Sequence, residues 1–265
     1  MTTRRYPRLT LLLAPLLLVG CAATSASTDE ARPDPAPPAE QATPFDVLVY
    51  TRTTGFRHAS IDAGVDAVRA LGTANGFAVT RSENPADFTD DKLKRFKVVM
   101  FLNTTGDVLD TNGRGALERF VRAGGGFVGV HSATDTEYGW PWYGRLVGAY
   151  FDGHPQNPNV REGRLNVTLR DHPATRDLPD PWVRSEEWYS FRSVSPQIRP
   201  LLKLDEASFE AGGAPRMGDH PVAWFQEFEG GRSFYTALGH EASTFADPLF
   251  RKHLLGGILW AAGRD

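Results

Sequence analysis

Cysteine is almost missing from this chain of 265 residues: Cys21 is the only one. A single cysteine excludes an intramolecular disulfide framework and a zinc site built from several thiolates. An excess of positive charge is missing too, because 29 lysines and arginines stand against 32 aspartates and glutamates. The resulting formal charge of -3 argues against a nucleic-acid-binding protein, which needs a basic surface to neutralise phosphates.

Several familiar catalytic motifs are also lacking. The glycines at 124–126 precede a predicted strand, whereas a phosphate-binding loop lies between a strand and the following helix. Segment 129–133 reads GVHSA and lacks the second glycine of a Gly-x-Ser-x-Gly nucleophile elbow. No two histidines have the i, i+4 spacing of helical zinc proteases. A hydrolase built on Ser132 and His240, with an acid between them in the chain, remains a minor alternative.

A long apolar run is missing as well, since Leu9 to Val19 covers only 11 residues and a membrane-spanning helix needs about 20. Three arginines precede the run, and Cys21 follows a Leu-Val-Gly sequence that resembles a bacterial lipobox. We expect residues 1–20 to be a lipoprotein signal peptide, cleaved before Cys21, whose thiol carries the lipid. An ordinary secretory signal with an incidental cysteine is the alternative.

Residues 21–44 are rich in alanine and proline and contain no aromatic residue, which predicts a flexible tether. Removal of the three signal-peptide arginines changes the formal charge from -3 to -6. The chain is therefore predicted to be exported and bound to a membrane through a lipid anchor, rather than through attraction to anionic lipids.

Residues 45–265 predict one α/β domain. Its first half alternates apolar strand patterns at 46–50, 77–80, 97–102 and 127–130 with helix patterns, and a last helix begins near residue 247. Strand patterns dominate the second half, at 165–169, 186–191, 222–228 and 233–238. This order predicts a parallel sheet with helices on both faces and a strand-rich second half.

Polar residues follow four of these strands at the carboxyl edge, where open parallel sheets bind ligands. Those with binding or acid–base chemistry are Arg57 and His58, Asn103, His131 with Ser132 and Asp135, and His240 with Glu241. Asp135 and Glu187 are the carboxylates best suited to general acid–base catalysis. Each histidine has a plainer alternative as a hydrogen-bonded structural residue.

Six aromatic residues fall between positions 138 and 151, close to His154. Trp140 and Trp142 could stack on sugar rings, although packing in the core is the commoner use of aromatic residues. We expect no bound cofactor. A metal ion held by some of His58, His131, His154 and His240 is left open as an alternative.

Several segments together resemble the ThuA-like (trehalose utilisation) family. They are TGFRH at 54–58, GGGFVGVHSA at 124–133, EWY at 187–189, and Gly239-His240 followed by the helix with FRKH at 250–253. The resemblance spans about residues 46–263 and implies a flavodoxin-like, class I glutamine amidotransferase-like fold. In that superfamily a cysteine nucleophile follows the fourth strand, where this chain has His131. Because residues 45–265 contain no cysteine, the similar fold does not imply that this chain has amidotransferase activity through a thiolate.

The ThuA-like family implies metabolism of trehalose or related disaccharides, including their 3-keto derivatives. Our first hypothesis is therefore a sugar-processing hydrolase or isomerase. In it, His131 and His240 polarise or deprotonate a sugar carbonyl or hydroxyl, and Asp135 or Glu187 is the acid–base partner. The alternatives are a non-catalytic carbohydrate-binding lipoprotein and a metal-dependent hydrolase.

Overall fold

A computed structural model describes residues 44–264. The predicted signal peptide, Cys21 and all of the tether except Pro44 lie outside the described residues. Within residues 44–264, none of the helices has both the length and the apolar character needed to cross a bilayer.

The described part has a mixed α/β content. Its strands are β1 (Phe45–Tyr50), β2 (Phe77–Ser82), β3 (Val98–Leu102), β4 (Gly126–Val130), β5 (Tyr150–Gly153), β6 (Val160–Val167), β7 (Trp182–Glu187), β8 (Ser190–Arg192), β9 (Arg199–Leu204), β10 (Pro221–Phe228) and β11 (Gly231–Thr236). Its α-helices are α1 (Ile61–Asn75), α2 (Asp90–Leu93), α3 (Thr111–Arg122), α4 (Pro141–Val147) and α5 (Pro248–Ala261).

Nine strands form one sheet in the order β2-β1-β3-β4-β11-β10-β9-β6-β7. Neighbouring strands from β2 to β11 are parallel. From β11 to β7 the neighbours are antiparallel. Strands β5 and β8 form a separate antiparallel pair. The predicted parallel α/β sheet is confirmed, and the strand-rich second half extends it with antiparallel strands.

Helices cover both faces of the parallel part. Every residue of β3 and β4 is buried, as a continuous apolar strand in the middle of such a sheet requires. Successive residues of a strand point to opposite faces. On one face, Gly126 lies so close to Ala261 of α5 that a Cβ atom would overlap its backbone. On the other face, the Phe127 ring contacts Tyr143 of α4.

The second half differs in detail from the sequence prediction. The strand expected at 186–191 is two strands, β7 and β8, separated by Trp188 and Tyr189. The strand expected at 165–169 begins earlier, at Val160, and ends at Val167. Helix α4 and strand β9 were not predicted, because aromatic residues crowd the first and Pro200 lies inside the second.

Candidate functional site

Three histidines and one glutamate meet at the carboxyl edge of the parallel strands. His58 follows β1, His131 follows β4, His240 follows β11, and Glu187 is the last residue of β7. One nitrogen or carboxylate oxygen from each of the four side chains lies within 4.8 Å of the others. We call these four residues the histidine cluster.

His131 is held in an uncommon backbone conformation at the start of this edge. Its φ of 50° lies in the left-handed region, which few non-glycine residues adopt. The Tyr235 hydroxyl donates a 2.7 Å hydrogen bond to the His131 carbonyl, and His131 Nδ1 lies 2.8 Å from the Ala237 carbonyl oxygen. The side chain is fully buried, so both the backbone and the ring have a defined place.

The loop that carries His240 is fixed by a buried carboxylate and a buried amide. Glu186 accepts hydrogen bonds from the backbone N–H groups of Gly239 at 3.2 Å and His240 at 3.4 Å. Its Oε1 also accepts from the Thr244 hydroxyl at 2.6 Å. From the other side, the Asn103 amide donates to the Gly239 carbonyl at 3.1 Å. These contacts position the His240 ring without touching it.

Glu187 is the anionic centre of the histidine cluster. Its Oε2 lies 3.0 Å from His240 Nδ1 and 3.3 Å from His131 Nε2, and its Oε1 accepts a 2.6 Å hydrogen bond from Asn159. Burial opposes the charged form, but contacts with the two imidazoles and Asn159 outweigh it and hold the pKa of Glu187 far below its usual range. Glu187 is thus a carboxylate at neutral pH and is unsuited to be a general acid.

Two of the histidines in the cluster have pKa shifts of opposite direction. Burial lowers the pKa of His240, but contact with Glu187 outweighs this and the net shift is upward. Burial, together with repulsion from His131 and His240, lowers the pKa of His58 to about 3. His58 is therefore neutral at physiological pH and its ring can act as a lone-pair donor. Three imidazoles and a carboxylate are also a donor set that can hold a metal ion.

A cavity of about 280 Å³ opens beside the cluster. Aromatic rings and polar groups line it together: Phe56, His58, Asp135, Phe151, His154, Asn159, Glu187, Tyr189 and His240. The Tyr189 ring packs against both His131 and Phe151, with centroids 4.3 Å apart in each case. A cavity with apolar walls and a few converging polar groups is typical of a small-molecule site.

Asp135 supplies a second carboxyl group to the cavity. Burial raises its pKa above the usual range, although a 2.6 Å hydrogen bond donated by the Tyr138 hydroxyl opposes the rise. The cavity thus contains an anionic Glu187 and a carboxyl group whose pKa is shifted toward neutrality. Such a difference between two carboxyl groups suits separate electrostatic and proton-transfer roles.

Four of the predicted binding residues do not line the cavity. Arg57 forms an ion pair with Glu83 at 2.9 Å, and Glu241 is exposed on the loop after His240. Asn103 is buried beneath the loop. The Ser132 hydroxyl is buried 3.3 Å from His58 Nδ1. Asn103 and Ser132 therefore support the site from below, whereas Arg57 and Glu241 lie outside the lining of this cavity.

Trp140 and Trp142 also lie outside the cavity lining. Their rings stack on each other with centroids 5.1 Å apart, and each side chain is almost fully buried. Their indole N–H groups donate to Glu118 and Glu229. The two tryptophans therefore belong to the core, and the aromatic wall of the cavity comes from other residues.

Three important residues were not singled out from the sequence as site residues. Asn159 lies in a loop with no recognisable motif, and Tyr189 follows Glu187 at the break between β7 and β8. Glu186 could be noticed only as the neighbour of Glu187. His154, which was predicted, lines the cavity with Nδ1 3.5 Å from Glu187 Oε1.

Two solved structures of ThuA-like proteins share this architecture. The one from Bacteroides uniformis has a TM-score of 0.70 at 23% identity, covering 84% of this chain and 94% of that protein. The one from Parabacteroides merdae has a TM-score of 0.66 at 21% identity, covering 84% and 91%. A β-galactosidase from Bacillus circulans contains a similar fold in 31% of its chain, with a TM-score of 0.50, 14% identity and 82% of this chain covered.

Sequence comparison assigns the family. No curated protein sequence matches the chain. The family model for ThuA, described as trehalose utilisation, matches residues 46–261, which include the whole histidine cluster and the cavity beside it. This match covers most of the chain, and its limits agree with those of the described sheet and helices. The chain belongs to the ThuA family.

Proposed function

We propose that this ThuA protein is an enzyme that processes trehalose or a related disaccharide, including 3-keto forms. The observation that carries the proposal is the arrangement around the cavity. The His240–Glu187 pair lies beside it, Asp135 with a raised pKa lines it, and the rings of Phe151 and Tyr189 form its walls. Aromatic rings beside paired polar groups suit the apolar faces and hydroxyl groups of a sugar.

The size of the cavity favours one sugar ring. Its volume of about 280 Å³ is at the lower end of the range of about 300–1,000 Å³ found for small-molecule sites. The second ring of a disaccharide would extend toward solvent. In this binding mode His240 polarises a carbonyl or hydroxyl oxygen of the bound ring, and Asp135 exchanges a proton with it. Glu187 keeps His240 oriented and balances its charge.

Mass spectrometry of a keto-disaccharide incubated with the full chain tests this function. A product of unchanged mass and altered retention indicates isomerisation, and two monosaccharides formed with gain of one water indicate hydrolysis. Asp135→Asn and His240→Gln should each lower turnover by about 100-fold or more. The exposed Glu210→Gln is the matched control. Full turnover in both site variants would refute the assignment, and sugar binding without conversion would favour the non-catalytic alternative.

We also propose that the protein is exported and lipidated at Cys21. The proposal is supported by the apolar run at 9–19, the lipobox-like residues before Cys21 and the proline-rich segment after it. Metabolic labelling with a fatty acid should mark the chain, and Cys21→Ser should abolish both the label and recovery in the membrane fraction. Equal recovery of the two proteins in membranes would contradict lipidation.

A further inference from the structure

We propose that the histidine cluster binds one divalent transition-metal ion, with Zn²⁺ as the best fit. His131, His240 and Glu187 provide the three close ligands, and His58 provides the fourth. All four ligand atoms lie within 4.8 Å of one another, and the residues come from four separate segments of the chain.

The His131 ring is held so that its second nitrogen faces the other ligand atoms. Its Nδ1 lies 2.8 Å from the Ala237 carbonyl oxygen, which can only accept, so Nδ1 carries the proton. In the neutral ring, Nε2 then presents a lone pair toward His240 Nδ1 at 3.2 Å and Glu187 Oε2 at 3.3 Å. A cation between the three atoms would satisfy all of them.

The distances fit a small tetrahedral ion. The three atoms are separated by 3.0, 3.2 and 3.3 Å. Bonds of about 2.0–2.1 Å to a tetrahedral Zn²⁺ place ligand atoms about 3.3 Å apart. Shifts of a few tenths of an ångström in these three side chains would therefore give each atom a normal bond length to the ion. The fourth ligand, His58, lines the cavity and has a ring nitrogen within 4.8 Å of the other three ligand atoms, so it would have to move farther than they do to complete the tetrahedron. A substrate oxygen could compete for this position.

The surroundings orient the ligands as in known metal sites. Metal-binding histidines usually donate their second ring N–H to a carbonyl or carboxylate, as His131 does to Ala237. The outer oxygen of Glu187 accepts from Asn159 at 2.6 Å. Three imidazoles favour zinc and similar transition metals, whereas Mg²⁺ and Ca²⁺ prefer oxygen ligands. Ligand type and geometry thus indicate the same class of ion.

This site deepens the proposed function and rests on it only for what the ion does to a substrate. With the ion bound, His240 would be one of its neutral ligands, and the ion rather than the His240 ring would polarise a sugar oxygen in the cavity as a Lewis acid. Asp135, which also lines the cavity, would remain the proton carrier. Binding of the ion itself can be measured without a sugar, so the two proposals fail independently.

The test begins with full-length protein purified without an affinity tag. Elemental analysis should find one zinc per chain. After removal of metal with a chelator, calorimetric titration with ZnCl₂ should show one site, with no comparable binding of MgCl₂. Cobalt is the spectroscopic probe, since four-coordinate Co²⁺ with histidine ligands gives intense visible absorption.

Isosteric and matched variants identify the ligands. Glu187→Gln and His240→Gln should weaken zinc binding by more than about 100-fold, and Asn159→Ala by about 10–100-fold through loss of the outer hydrogen bond. The exposed Glu241→Gln should leave affinity unchanged. Circular dichroism checks that each variant is folded. Absence of zinc binding, or equal affinity in Glu187→Gln and the parent, would overturn the site.

Sugar turnover separates this proposal from the preceding one. Turnover that continues in chelator-treated, metal-free protein would overturn the metal site as the catalytic ion and leave the proposed function intact. Stoichiometric zinc binding with the predicted variant pattern, but no sugar conversion, would support the site and count against the proposed function.

Discussion

Replacing Glu186 by glutamine perturbs the support of the site without changing any group in the cavity. Glu186 is fully buried and pairs with Arg184 at 3.1 Å, and the Arg184 side chain is only 8% exposed. The same carboxylate accepts from the backbone N–H groups of Gly239 and His240. The variant keeps the shape of the side chain, removes its charge and turns an NH₂ group toward groups that are themselves donors.

The expected cost follows from the buried ion pair. Removing one partner of such a pair costs about 3–5 kcal/mol, because the remaining charge stays buried. Arg184 retains a second partner, Asp247, at 3.2 Å, which favours the lower end of that range. We therefore expect Glu186→Gln to lose about 3 kcal/mol of unfolding free energy. For a domain of this size that corresponds to a decrease in Tm of about 6–12 °C.

Urea denaturation followed by tryptophan fluorescence measures this loss. Glu162→Gln on the neighbouring strand β6 is the matched control, since Glu162 is exposed, and it should lie within about 0.5 kcal/mol of the parent. The double variant Arg184→Met/Glu186→Leu should regain part of the stability while leaving the Gly239 and His240 N–H groups without acceptors. A Glu186→Gln protein within 1 kcal/mol of the parent would refute the reasoning.

His253 is buried with both ring nitrogens paired, and burial lowers its pKa to about 4. The unfolded chain binds this proton near pH 6.5, so about 3 kcal/mol of stability should be lost as pH falls from 6.5 to 4. In urea unfolding measured across this pH range, the unfolding free energy of His253→Gln should fall less steeply with pH than that of the parent protein. Equal pH dependence in the two proteins would contradict this. Gly126→Ala should lose more than about 1 kcal/mol in the same assay, because the new methyl group overlaps the Ala261 backbone. Trp142→Phe should lower the Tm, because it removes the hydrogen bond to Glu229, and should leave sugar turnover unchanged. Reduced turnover would show that Trp142 contributes to substrate binding.

The parallel half of the fold was predictable because its signals are local. Strands β1, β3 and β4 are short apolar runs, and polar residues follow each of them, so both the sheet and its ligand-binding edge can be read from the pattern. His58, His131 and His240 were identified by their positions after strands. Their meeting required only that neighbouring parallel strands end together.

The features that escaped prediction depend on long-range packing. Glu187 was predicted as a catalytic carboxylate, but the pattern gives no reason why the end of β7, in the antiparallel extension, should reach the parallel edge and meet the histidines there. Asn159 contacts Glu187 across 28 positions of sequence from an irregular loop. Trp140 and Trp142 were predicted to bind sugar but pack in the core. The sequence could not separate these two uses, because a cluster of aromatic residues has the same pattern in a core as in a sugar-binding surface.

The backbone turn at His131 fixes the direction of its ring. At φ 50° after a buried strand, the residue projects from a sharp turn whose carbonyl is held by Tyr235. Such a turn is maintained only when its surroundings determine it, since the conformation is unfavourable in itself. An imidazole whose Nδ1 is bonded to Ala237 presents a fixed lone pair at Nε2. The turn at His131 is therefore suited to hold a ligand for the proposed cation.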